Sequence, residues 1–120
     1  MKILIVDDHP LMRQALMQLL RDTLPNADLI EAADAKTGIQ LVEDAKPQIL
    51  LMDLSMPGMD ALDATRRLKQ TLPSLPIIML TFNDDELRCT EALQAGANAV
   101  VSKDNLATEL IPIINQHAGF

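Results

Sequence analysis

Ile49-Leu50-Leu51-Met52-Asp53-Leu54-Ser55-Met56-Pro57-Gly58 decides the fold. Four apolar residues run without a break, a carboxylate ends them, and a turn follows. A strand with one wet face alternates apolar and polar residues. A short continuous run instead suits a strand buried on both faces, as in a parallel sheet covered by helices. The runs at residues 3–6 and 77–80 read the same way, and residues 28–33 and 99–101 supply two more strands.

Working outward, each run is followed by residues of helical period. Met12, Ala15, Leu16 and Leu19 keep the i, i+3, i+4, i+7 spacing, as do Ala35, Gly38, Ile39 and Val42, and then Ala61, Ala64, Thr65 and Leu68. Leu106, Leu110, Ile113 and Ile114 make a fifth stripe. The fourth, Leu87, Thr90 and Leu93, is the weakest. Pro10 suits a first helical turn, and Asp34, Asp60 and Asp84 suit N-caps. Pro47, Pro73 and Gly96 mark helix ends. Pro112 falls inside the fifth helix, where a lost hydrogen bond predicts a kink or a late start.

Five βα units predict an α/β fold: one doubly wound, five-stranded parallel sheet with right-handed crossovers, in a single domain over residues 1–120. No composition break, repeat or linker divides the chain. Apolar residues make up 48% of it, enough for a core. No stretch approaches the roughly 20 apolar residues of a membrane span. The single cysteine, Cys89, excludes an internal disulfide and, without other thiols, a multi-cysteine zinc site. Half-buried packing is the expectation for it. These features predict a cytoplasmic protein with no membrane partner. The net charge of −7 repels phosphate backbones, and two phenylalanines cannot build a base-stacking surface. The chain alone is therefore not expected to bind DNA.

Ligands of such sheets bind beyond the carboxyl ends of the strands. There stand Asp7 and Asp8, then Asp53, Thr81, Ser102 and Lys103. Clustered carboxylates repel one another unless a cation sits among them. Oxygen ligands favour a hard ion, Mg²⁺ or Mn²⁺. A divalent metal, a lysine and a hydroxyl are what a phosphoryl group in transfer requires. One carboxylate can act as the nucleophile and form an acyl phosphate. Asp53, on a central strand and before the Met56-Pro57-Gly58 turn, is the expected acceptor. His9 reads as a bare surface imidazole, and His117 as solvated. The methionines read as adaptable packing, with Met56 and Met59 flanking the site.

Val6-Asp7-Asp8-His9-Pro10, Met52-Asp53-Leu54-Ser55-Met56-Pro57-Gly58-Met59-Asp60, Leu80-Thr81 and Gly96-Ala97 through Lys103-Asp104 together resemble the receiver domain of two-component response regulators over essentially the whole chain. The opening Asp-Asp-His-Pro-Leu and the run from Leu80 to Glu86 resemble the NarL/FixJ branch. The resemblance implies the flavodoxin-like strand order 2-1-3-4-5. It implies that Asp53 accepts phosphate from a histidine kinase or a phosphotransfer protein. Asp7, Asp8, Asp53 and the Ser55 carbonyl would hold Mg²⁺, Lys103 would pair with the phosphate, and Thr81 would turn its hydroxyl to it. The domain would phosphorylate and slowly dephosphorylate itself as a switch, not a metabolic enzyme.

The expected readout surface is residues 84–116. The expected output is transcription through a C-terminal helix-turn-helix absent from this chain, with a homodimer as a further partner state. The stand-alone alternative acts through protein contacts only. Val100 stands where the family has an aromatic switch residue, which puts the usual coupling in doubt. Ala61 and Ala99 are milder departures, and Phe82 is expected to narrow access to Asp53.

Three rival readings follow from the same residues. A receiver-like module could serve dimerisation or docking without phosphorylation, although the complete acidic set argues against it. A haloacid dehalogenase-type phosphatase needs Asp-x-Asp, which Asp53-Leu54-Ser55 lacks. A nucleotide or flavin site needs a glycine-rich loop, and none follows Val6.

Overall fold

The computed structural model describes residues 1–55, 61–82 and 86–118. The strands are β1 (Lys2–Val6), β2 (Asp28–Ala32), β3 (Ile49–Asp53), β4 (Ile77–Thr81) and β5 (Ala99–Ser102). The helices are α1 (Pro10–Thr23), α2 (Ala35–Ala45), α3 (Ala61–Thr71), α4 (Glu86–Ala95) and α5 (Leu106–Ala118). A single 3₁₀ turn, Lys103–Asn105, leads into α5. All strand pairings are parallel, and the order is β2-β1-β3-β4-β5.

The unbroken apolar runs are buried on both faces, as the sequence predicts. Alternate residues of each strand then feed two cores. Leu4, Val6, Leu50, Met52, Ile77 and Met79 pack with residues of α2, α3 and α4. Ile3, Ile5, Ile49, Leu51, Ile78 and Leu80 pack with residues of α1 and α5. Burial of the ten or more aliphatic side chains in each layer is the main favourable contribution to folding, at roughly 1.5–3 kcal/mol per fully buried side chain.

Two helices differ from their predicted faces, and a third keeps its predicted stripe without starting late. On α1, Leu16, Met17 and Leu20 are buried while Ala15 is exposed, so the face is turned by about one residue. On α4 the predicted stripe faces solvent: Leu87 and Leu93 are exposed, and Ala92 and Ala95 are buried. Small side chains let this helix lie close to its neighbours. Helix α5 runs through Pro112 and starts well before it. Pro112 and Thr108 are both exposed, so the carbonyl that loses its partner can meet water. Leu106, Leu110 and Ile114 hold the opposite side of the helix in the core.

The punctuation is largely as predicted. Asp34 caps α2 by accepting from the Thr37 N–H at 2.7 Å, and this bond holds its carboxyl below the usual range. Lys46 adopts a left-handed C-cap before Pro47, and Gly96 has φ 117° at the end of α4. Asp60 and Asp84 lie outside the described residues.

Gly38 is a second positional glycine. A Cβ there would meet Val6 Cγ2 at 2.6 Å, so α2 seats directly on β1. Gly38→Ala should lower stability by about 1–3 kcal/mol through overpacking, despite its better helix propensity. The loss should shrink in a Val6→Ala background. A double-mutant cycle in urea measures this, and a stabilising Gly38→Ala would contradict the close seating.

Candidate phosphoacceptor and metal site

Strands β3 and β4 extend one residue past their apolar runs to carry a functional residue, whereas Asp7 directly follows β1. Asp53 is the last residue of β3 and pairs in register with Leu80; Thr81 ends β4 beside Ser102. Lys103 follows in the 3₁₀ turn. The parallel register thus delivers residues far apart in sequence to one sheet edge.

Asp7 and Asp53 are buried, and so is Lys103, with 1% of its side chain exposed. The Lys103 ammonium donates to Asp7 Oδ2 at 2.9 Å and stands 3.3 Å from Asp53 Oδ2. Phe82, half exposed, places its ring centroid 5.2 Å from the same Nζ. That contact adds a weak cation–π attraction and covers the lysine. Thr81 is buried at the end of β4, and Ser55 is exposed. The Ser55 backbone N–H donates to Asp53 Oδ1 at 3.0 Å, which fixes the carboxylate and leaves its other oxygen for chemistry.

Asp53 Oδ2 and Asp8 Oδ1 are buried and accept no hydrogen bond from the described residues. Asp7, Asp8, His9 and Asp53 can each offer a ligand atom within 4.8 Å of the others. Three carboxylates against one ammonium leave two negative charges in this cluster, those of a divalent cation's complement. Unsatisfied buried oxygens in such a set fit a hard divalent ion.

His9 lies at the surface, as its sequence reading has it, with 57% of its side chain exposed, but it is not isolated: its Nδ1 lies 3.3 Å from Asp7 Oδ1, 3.1 Å from Asp8 Oδ1 and 3.4 Å from Asp53 Oδ2. Its place directly after the acidic pair and before the α1 proline was the available signal. His117 is half-buried, in the wall of a groove of about 740 Å³ beside Pro47 and Pro76, not fully solvated. That groove lies at the opposite edge of the sheet, away from the acidic cluster. Cys89 is half-buried, as expected.

Two arginines also escaped the sequence reading. Arg13 donates to the Asp7 carbonyl at 2.6 Å, and Arg88 of α4 donates to the Leu54 carbonyl at 3.2 Å. The second bond ties α4 to the turn after Asp53. Met56 and Met59 lie outside the described residues.

A parallel sheet of this order, with an acidic pair after β1, a central-strand aspartate and a buried lysine after β5, defines a receiver domain. The sequence matches the response regulator receiver domain family over residues 3–115. It is 38% identical over 120 residues to the uncharacterized transcriptional regulatory protein YhcZ of Bacillus subtilis, covering 99% of this chain and 56% of YhcZ. It is 32% identical to the nitrate/nitrite response regulator protein NarL of Escherichia coli strain K12, covering 97% of this chain and 54% of NarL. A LuxR-family two-component response regulator from Aurantimonas superposes with a TM-score of 0.90 at 31% identity, over 98% of this chain and 84% of that one. The chain belongs to the response regulator receiver domain family. It spans about half the length of these curated relatives.

Breaking the buried ion group should be costly. Lys103→Met leaves Asp7 and Asp53 buried without their cation, and should lose about 3–5 kcal/mol in urea unfolding with chelator present. Arg66→Met breaks a shorter but exposed pair with Asp63, at 2.7 Å, and should cost less than about 1 kcal/mol. Equal small effects would contradict the burial argument.

Proposed function

We propose that this domain is a phosphoacceptor signalling switch, with Asp53 as its acceptor. The observation that carries the reading is Asp53 Oδ2: a buried carboxylate oxygen, free of hydrogen bonds from the described residues, within ion-pair distance of Lys103. The phosphodonor is a phosphohistidine of a histidine kinase or phosphotransfer protein. Asp53 Oδ2 forms the O–P bond as the donor's N–P bond breaks, and the electron pair leaves on the imidazole nitrogen. Lys103, already between Asp7 and Asp53, pairs with a phosphoryl oxygen. The Thr81 hydroxyl turns to another.

Asp7, Asp8, Asp53 and the Ser55 carbonyl would hold Mg²⁺, or Mn²⁺ in its place. When bound, such an ion supplies positive charge at the phosphoryl oxygens. Water later releases phosphate, so the modified state is transient. Phosphorylation shifts a two-state equilibrium because Thr81 and Lys103 gain contacts in only one state. The readout is residues 84–116, where α4 has a thin buried face and Arg88 touches the turn after Asp53. Val100 packs against the core without offering an aromatic side chain to turn. The output is transcription, through a DNA-binding part outside this chain, in the cytoplasm. Among the described residues, no helix is long and apolar enough to cross a membrane.

Incubation with a small acyl phosphate and Mg²⁺ should add one phosphate by intact mass, and Asp53→Asn should abolish it. Unlabelled wild type would favour the non-phosphorylated docking module. Equal labelling of the variant would place the acceptor elsewhere.

A further inference from the structure

Arg88 enters the readout above only as a contact of α4, yet one peptide links it to the acceptor. Its Nη2 donates to the Leu54 carbonyl at 3.2 Å. That carbonyl and the Ser55 N–H belong to the same peptide unit, which is planar, with its C=O and N–H on opposite sides. The Ser55 N–H donates to Asp53 Oδ1 at 3.0 Å. A guanidinium, a peptide and a carboxylate thus stand in line, and a rotation of the peptide moves the donor that orients Asp53.

Leu54 is anchored on its other side. Its N–H donates to the Leu80 carbonyl at 2.9 Å, and its side chain lies in the core. The dihedral left to set the next peptide plane is its ψ, and Arg88 grips the carbonyl which that ψ turns. A charged donor bonds more strongly than a neutral one, and a donor on a peptide oxygen polarises the unit and strengthens the N–H at its far side. The helix that supplies this donor is lightly held, since Ala92 and Ala95 make up its buried face.

We propose that Arg88 is a positioning residue for phosphoryl transfer: through the Leu54–Ser55 peptide it aims Asp53, so that Oδ2 stays beside Lys103 and open to the phosphodonor. The proposal rests on Asp53 being the phosphoacceptor. It makes the reactivity of Asp53 depend on where α4 sits.

The test follows two readouts in the full chain: the rate of acyl-phosphate labelling with Mg²⁺, by intact mass, and the amide proton resonance of Ser55. Arg88→Met should label at least about fivefold more slowly, and its Ser55 amide proton should move upfield as the bond to Asp53 weakens. Arg88→Lys keeps a charged donor and should recover part of both effects; its smaller Ser55 shift also keeps the test independent of the folding of Arg88→Met. Arg66→Met removes the same charge from an exposed position and should label like wild type. An unmoved Ser55 amide with wild-type labelling in Arg88→Met would overturn the proposal. So would an equal loss of labelling in Arg66→Met, because the effect would then be one of net charge. A wild type that takes no label defeats the phosphoacceptor reading instead, and is told apart because its Ser55 amide still answers to Arg88.

Discussion

The ammonium of Lys103, held between Asp7 and Asp53, is the contact on which the site depends. Two carboxylates cannot stay ionised side by side in an apolar interior without a compensating charge. The three residues come from β1, β3 and the turn after β5, so their meeting requires the whole sheet. Strand order puts β1 and β3 side by side, and β4 lies between β3 and β5. The two aliphatic layers then exclude water from all but the outer edge of the cluster. The fold thus creates an excess of negative charge and a place for a cation to relieve it.

Much of this was legible in the sequence because its signals are local and strong. The runs ending at Val6, Met52 and Leu80 are too continuous for half-exposed strands, and Asp7, Asp53 and Thr81 follow them directly. The order 2-1-3-4-5 was implied by the family resemblance; periodicity has no term for which strands neighbour each other. Helix faces were less legible where packing is set by distance. On α4, leucines face out because alanines permit a close approach, a choice that apolar spacing cannot register. Of the two outcomes expected at Pro112, the late start did not occur: α5 begins at Leu106, and the exposure of Thr108 lets its carbonyl meet water.

Within the site, chemistry-bearing side chains were easier to find than the groups around them. Asp7, Asp8, Asp53 and Lys103 converge, as their positions at strand ends predict. His9 reads as a solvent residue by type and is more than half exposed, yet its Nδ1 borders the three carboxylates. Arg13 and Arg88 act through backbone carbonyls of Asp7 and Leu54, and such contacts have no sequence motif. Phe82, expected to narrow access to Asp53, stands with its ring over Lys103, the lysine that Asp53 shares.

The central claim is that three carboxylates form one metal-relieved centre. Thermal melts of wild type and Asp53→Ala, in chelator and in Mg²⁺ at matched ionic strength, test it most directly. Asp53→Ala removes one repelling charge and leaves Lys103 its shorter pair with Asp7, so it should melt higher in chelator. Mg²⁺ at tenfold excess over its dissociation constant should stabilise wild type by about 1.4 kcal/mol, and the variant by less. A wild type indifferent to Mg²⁺, with Asp53→Ala melting lower in chelator, would contradict the account.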